Sequence, residues 1–246
     1  MNVFWYLILA HLIADFPLQS DKIYAIRLKH KWGVLLHVGI YFITNLVVAF
    51  PFLSFKQFWF AILFLAITHL IEDWTKIALT RKALQDSIVL FFVDQFIHIF
   101  FIWLSCFVLF DIPAPEITNQ FVQRYYFNSH IIFMLIGLVF SVFAGVVLIY
   151  YVRKCVHRIK FSNDDSSVQF PKIKKRRIGY IERLFSTSGV ILGGWFLILL
   201  PLAFLPRLII SKDRELEEFL LINLLTGLAI SIGSGVFVHV ASYYFG

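Results

Sequence analysis

Seven runs of apolar residues, most of them about as long as the hydrocarbon core of a bilayer is thick, constrain this chain more than any other feature. They lie at roughly 3–18, 32–53, 57–80, 88–111, 129–151, 181–206 and 217–244. With 60% hydrophobic and only 15% charged residues, and a mean hydropathy of +0.81, the chain lacks the polar surface of an ordinary water-soluble domain. The expected fold is all-α: a polytopic membrane protein of about seven transmembrane helices.

The formal net charge of +7 invites a nucleic-acid partner, but the distribution of that charge argues for membrane topology instead. Lys22, Arg27, Lys29 and Lys31 follow the first run, and Lys76, Arg81 and Lys82 end the third. Ten more basic residues fall between Arg153 and Arg183. The opposite side has Lys56, Arg124, Arg207, Lys212 and Arg214. Cytoplasmic loops carry the excess of Lys and Arg, so the expectation is an N-terminus outside, a C-terminus in the cytoplasm and no nucleic acid. Cys106 and Cys155 have neither a disulfide pattern nor metal-ligand spacing.

Ionisable residues inside the spans carry the chemistry. His11-Leu12-Ile13-Ala14-Asp15 returns 58 residues later as His69-Leu70-Ile71-Glu72-Asp73. In each copy the His and the Asp, four residues apart, share one helix face. His37 lies early in the second run, and Asp94 and His98 lie early in the fourth, again at i, i+4. Given the expected topology, all seven groups fall in one layer roughly 5–15 Å inside the cytoplasmic ends of their helices. Charged groups at such depth are costly and normally face a bundle interior, a partner or a cavity. His11, Asp15, His37, His69, Asp73, Asp94 and His98 are therefore candidate metal ligands. Four imidazoles and three carboxylates without a thiolate suit Zn²⁺, Mn²⁺ or Fe²⁺. Glu72 and Asp94 are the candidate catalytic proton acceptors. The alternative is a metal-free hydrogen-bond network that joins the four helices.

These features predict a four-helix His/Asp core over 1–111, built from two descending-ascending hairpins, and a fifth helix within 112–151. A basic cytoplasmic loop over 152–180 and a two-helix part over 181–246 complete the chain. Lys172, Lys174, Lys175, Arg176 and Arg177 form a run suited to anionic lipid head groups or to fixing orientation. Gln19 and Asp21 flank the mouth of the cluster, with solvated loop residues as their plainer reading, and His239 reads as packed or interfacial.

Four segments resemble a bacterial integral-membrane family catalogued as domain of unknown function 3307. They are His11-Leu12-Ile13-Ala14-Asp15-Phe16-Pro17-Leu18-Gln19, Leu35-Leu36-His37, His69-Leu70-Ile71-Glu72-Asp73-Trp74-Thr75-Lys76 and Asp94-Gln95-Phe96-Ile97-His98. A looser likeness extends to Ile178-Gly179-Tyr180-Ile181-Glu182-Arg183-Leu184 and Asp213-Arg214-Glu215-Leu216. Between these two segments Leu202-Ala203-Phe204-Leu205-Pro206-Arg207 departs from the usual basic stretch. The resemblance implies a bacterial cytoplasmic membrane and brings no activity with it. A more distant likeness, in His and Asp placement alone, is to membrane proteins described as metal-dependent hydrolases.

Three functions fit this pattern. The first is a metal-dependent hydrolase acting at the cytoplasmic leaflet on a lipid or other amphipathic ester. The second is a proton- or ion-coupled transporter using the same groups as a relay, and the third a noncatalytic scaffold. No Gly-rich phosphate loop, G-x-S-x-G elbow or H-E-x-x-H helix is present, which removes nucleotide, serine-esterase and zincin chemistry from consideration.

Overall fold

A computed structural model describes residues 2–82, 88–116, 118–160, 168, 170–171, 173–210 and 220–245. The described residues are helical or irregular, and they divide into two compact units, residues 1–132 and 133–246. Lys172, the side chains of Lys174 and Lys175, the polar stretch 162–167 and the segment 213–216 lie outside the described residues.

The first unit contains α1 (Val3–Asp15), α2 (Asp21–Lys29), α3 (Lys31–Val48), α4 (Lys56–Lys82) and α5 (Ile88–Leu104). Helix α1 packs against α3 and α5, while α4 packs against α3 and α5. Pro17 follows α1 and ends it, since proline cannot donate the next helical hydrogen bond. Ser20 then caps α2 by accepting from the Ile23 amide. At the far end of the unit, Tyr6 stacks on Tyr126, packs against Phe52 and Phe127, and donates its hydroxyl to the Tyr126 carbonyl. The segment after α5 thus belongs with the first unit.

The helix faces are inverted relative to a water-soluble bundle. On α4, Trp59, Phe60, Leu63, Ile67, Ile71 and Trp74 are exposed while His69 and Asp73 are buried. On α5, Phe92, Phe96, Ile99 and Phe100 are exposed while Asp94 and His98 are buried. Apolar side chains outward and ionisable ones inward suit a hydrocarbon surround. Lys56–Leu79, Ile88–Leu109, Ser129–Lys160 and Leu220–Phe245 are long and apolar enough to cross a membrane. Val3–Asp15, Trp32–Val48 and Gly194–Arg207 are apolar but shorter. The chain is a helical membrane protein.

The second unit begins within α6 (Ser129–Val139), at Phe133, and α6 continues through a π turn at Phe140–Ala144 into α7 (Gly145–Lys160). It then contains α8 (Ile173–Leu192), α9 (Leu199–Ile210) and α10 (Leu220–Phe245). The segment expected as a basic loop, 152–180, is largely helical among its described residues. Its residues up to Lys160 extend α7, and those from Ile173 onward open α8.

The sixth apolar run, expected as one span over 181–206, is two helices. Gly193 and Gly194 adopt left-handed φ values of 64° and 54°, which glycine tolerates without a Cβ penalty, and the helix stops there. A 3₁₀ segment, Gly194–Ile198, then leads into α9, which folds back along α8. The return is locked by Arg207, whose Nε and Nη2 donate to Glu182 Oε1 and Oε2 at 2.8 and 2.7 Å. This added reversal changes the direction of the last helix. Ser186 pairs with Ser231 at 2.7 Å, and His239 Nε2 contacts the Val190 carbonyl at 3.0 Å, so α10 runs parallel to α8. The segment leading into α7 runs antiparallel to α8, since Ser141 bonds to Thr187 while Phe143, two residues on, packs against Tyr180. The Phe245 end of α10 therefore lies at the opposite end of the unit from Lys160 and Ile173. The expectation placed the C-terminus and the basic segment on one side.

Removing one partner of the buried Glu182–Arg207 pair strands the other. Arg207→Ala should cost about 3–5 kcal/mol, read as a lowered melting temperature in detergent, whereas Glu182→Gln with Arg207→Leu should recover much of the loss.

Candidate metal centre

The side chains singled out in the sequence converge inside the first unit. His11 and Asp15 come from α1, His37 from α3, His69, Glu72 and Asp73 from α4, and Asp94 and His98 from α5. Their side chains are at most 10% exposed. The two His-x-x-x-Asp copies meet directly. Asp15 Oδ1 lies 3.4 Å from His37 Nε2 and 3.7 Å from His69 Nε2, while Asp73 Oδ2 lies 3.7 and 3.5 Å from the same two nitrogens.

These four separations are long for hydrogen bonds and right for ligands sharing an ion. Donors about 2.1 Å from a tetrahedral centre stand about 3.4 Å from one another. His11 Nδ1 joins the group 3.8 Å from Asp15 Oδ1, and the His98 ring lies 4.4 Å from that of His69 and 5.0 Å from that of His11. Tyr41 stacks on His69 at 4.2 Å with the rings 6° from parallel and holds that imidazole in place.

Hydrogen bonding divides the cluster into an inside and an outside. His11 Nδ1, Asp15 Oδ1, His69 Nε2, Asp73 Oδ2 and His98 Nε2 are buried and have no hydrogen-bond partner. On three of these side chains the opposite atom is held. Arg27 Nη2 donates to Asp73 Oδ1 at 2.6 Å, His11 Nε2 meets Gln95 Oε1 at 3.3 Å, and His98 Nδ1 donates to the Asp94 carbonyl at 2.7 Å. Gln19 Nε2 reaches both ring nitrogens of His37, at 3.4 Å from Nδ1 and 3.3 Å from Nε2. Outer partners of this kind set the orientation and tautomer of ligating side chains. Unpaired buried polar atoms cost about 1–3 kcal/mol each, and His11, Asp15 and His69, like His37, His69 and Asp73, offer ligand atoms within 4.8 Å of one another that could hold an ion. The donor set fits Zn²⁺, Mn²⁺ or Fe²⁺.

The remaining carboxylates are placed differently. Glu72 Oε2 lies 3.0 Å from His98 Nδ1, but both Glu72 oxygens are buried without a hydrogen bond. Asp94 Oδ2 accepts from Lys76 Nζ at 2.7 Å and from Gln95 Nε2 at 3.1 Å. Asp15, Glu72, Asp73 and Asp94 against Arg27 and Lys76 leave a formal charge of −2 when the imidazoles are neutral. One divalent cation balances it.

Sequence reasoning assigned no role here to Arg27, Lys76 or Gln95. Arg27 and Lys76 counted only as topogenic charges. Lys76 was detectable, because His69, Glu72, Asp73 and Lys76 follow i, i+3, i+4, i+7 spacing on one helix face. Arg27 was not, because its approach depends on how α2 docks. Gly33 permits that docking: a Cβ there would stand 2.6 Å from the carbonyl carbon of Ile26 and 2.7 Å from the Arg27 nitrogen. Gln19, at first sight a loop residue, reaches His37, whereas His239 contacts only backbone, as a packed histidine would.

The fold and the cluster define a helical membrane protein with a buried His/carboxylate centre. The chain belongs to the DUF3307 family of proteins of unknown function, whose profile matches residues 3–127. That stretch holds every member of the cluster. No curated protein and no solved structure matches the chain.

Gly33→Ala should displace α2 and withdraw Arg27 from Asp73. Gly33→Ala and Arg27→Gln should each lower the melting temperature, and their combined effect should fall short of the sum by about 0.5–3 kcal/mol; strict additivity in a double-mutant cycle would separate the two residues.

Proposed function

We propose that the first unit is an intramembrane divalent-metal centre that hydrolyses an amphipathic ester at the cytoplasmic leaflet of a bacterial membrane. The observation that carries the metal is the set of five inward-facing buried atoms without hydrogen bonds, each on a side chain of the cage. Asp15, His37, His69 and Asp73 hold the ion, with His11 and His98 beside them. A bound ion of this kind supplies a Lewis acid and brings the pKa of a coordinated water toward neutrality. Glu72 is the proton acceptor. Its carboxylate is buried, takes no hydrogen bond and stands 3.0 Å from His98 Nδ1. Asp94, engaged by Lys76 and Gln95, holds its neighbours in position rather than moving a proton.

The exposed apolar residues Tyr24 and Leu28 of α2 and Trp32 just after it, with Lys22 and Lys29 beside them, support an interfacial position for α2, next to the entrance at Gln19. Lys172, Lys174, Lys175, Arg176 and Arg177 form a basic run whose charge suits anionic head groups. The near-complete burial of the cage favours a second reading, in which the same residues hold a cation in passage.

Purified protein should contain about one Zn, Mn or Fe per chain by elemental analysis, in line with the charge balance, and His69→Ala and Asp15→Ala should reduce that to near zero. Metal absent from the folded native chain would sink the proposal. Glu72→Gln should keep the metal and lower turnover of nitrophenyl esters or phosphoesters in mixed micelles by about 10²–10⁴-fold. Metal-loaded protein that turns over neither class but dissipates a cation gradient in proteoliposomes is a carrier.

A further inference from the structure

Beside the cage a second set of carboxylates, Glu72 and Asp94, meets the ammonium of Lys76 at Asp94. Glu72 Oε2 and Asp94 Oδ1 approach the same atom, His98 Nδ1, at 3.0 and 4.0 Å. Asp73, Asp94 and His98 each present a ligand atom within 4.8 Å of the others. The Glu72 side chain is nine-tenths buried, and neither of its oxygens receives a hydrogen bond. The carboxylates of Glu72 and Asp94, with Asp73 and the unpartnered Nε2 of His98 nearby, offer ligands for a second position, as in two-metal sites, where the ions stand about 3.5–4 Å apart. The ammonium of Lys76 sits on the outer oxygen of Asp94 at 2.7 Å. Lys76 is also the most exposed charged group of the cluster, at 28% for its side chain against 10% or less for the carboxylates and imidazoles.

We infer that Lys76 is a tethered cation standing in for a second metal ion, so that the native centre holds one divalent ion and a chain without this ammonium holds two. The inference rests on the proposed metal cage and goes further by fixing its stoichiometry. The charge balance supports it. With Arg27 clamped on Asp73 and Lys76 on Asp94, the formal −2 accommodates a single divalent cation. Removing the lysine charge makes it −3 and opens the carboxylates of Asp94 and Glu72 to the solvent side, where Lys76 now stands. Arg27 has no such role, because it is 5% exposed and lies on the outer oxygen of a cage ligand.

The test counts metal ions per chain in full-length protein, purified in detergent and dialysed against excess Zn²⁺ or Mn²⁺, with folding checked by monodispersity and melting temperature. Native protein and Lys76→Arg should bind one ion, while Lys76→Met and Lys76→Gln should bind two. Adding Asp94→Asn to Lys76→Met should return the count to one. A native chain that binds two ions overturns the inference and leaves the cage intact, as do folded Lys76→Met and Lys76→Gln chains that bind only one. A native chain that binds none removes the cage as well. If neither neutral lysine variant folds without metal but both do with it, the rescue itself shows the second ion replacing the ammonium, whereas failure to fold at any metal concentration assigns Lys76 a purely structural role and overturns the inference.

Discussion

A charge in hydrocarbon must be neutralised by groups that the protein itself brings alongside, because no water is there to do it. In the first unit this requirement ties together five helices and the turn after α1. Helix α1 contributes two ionisable residues, α3 one, α4 four and α5 two, while α2 adds Arg27 and the turn adds Gln19. None of these can leave the cluster alone without stranding a partner. The apolar faces outside it are interchangeable with lipid, so the polar layer gives the helices their register.

The second unit meets the same requirement in two other ways. Arg183 is buried, and its Nε and Nη2 donate to the Ser141 and Val142 carbonyls at 2.7 and 2.9 Å. Those carbonyls belong to a π turn, where wider hydrogen-bond spacing leaves acceptors for a side chain. Glu182, one residue earlier, takes its cation from Arg207, which can reach it only if the chain reverses at Gly193 and Gly194. One buried carboxylate thus explains the hairpin, and the hairpin sets the direction of α10. The buried His/carboxylate cluster and the topology follow from one electrostatic constraint.

Much of the candidate site was legible because helical periodicity is local. His11 and Asp15, His69 and Asp73, and Asp94 and His98 are spaced to share a face whatever surrounds them, and charge counting put them at a common depth. Arg27, Lys76 and Gln95 were harder to see. A basic residue just past an apolar run looks the same whether it meets head groups or turns back to a buried carboxylate. The break at Gly193 was hidden for a different reason. Hydropathy stays high from Ile181 to Pro206, and an average over such a window does not distinguish one long helix from two short ones folded together.

Composition and periodicity alone determined that the chain is an all-α membrane protein and which of its residues carry ionisable groups into the spans, since both depend on neighbours within a few positions. The tertiary structure decided which atoms face inward, which carboxylates are already paired with Arg27 and Lys76, and which way the last helix runs. Those depend on distances between segments far apart in the chain. The repeated His-x-x-x-Asp marks two faces, and only packing makes them face each other.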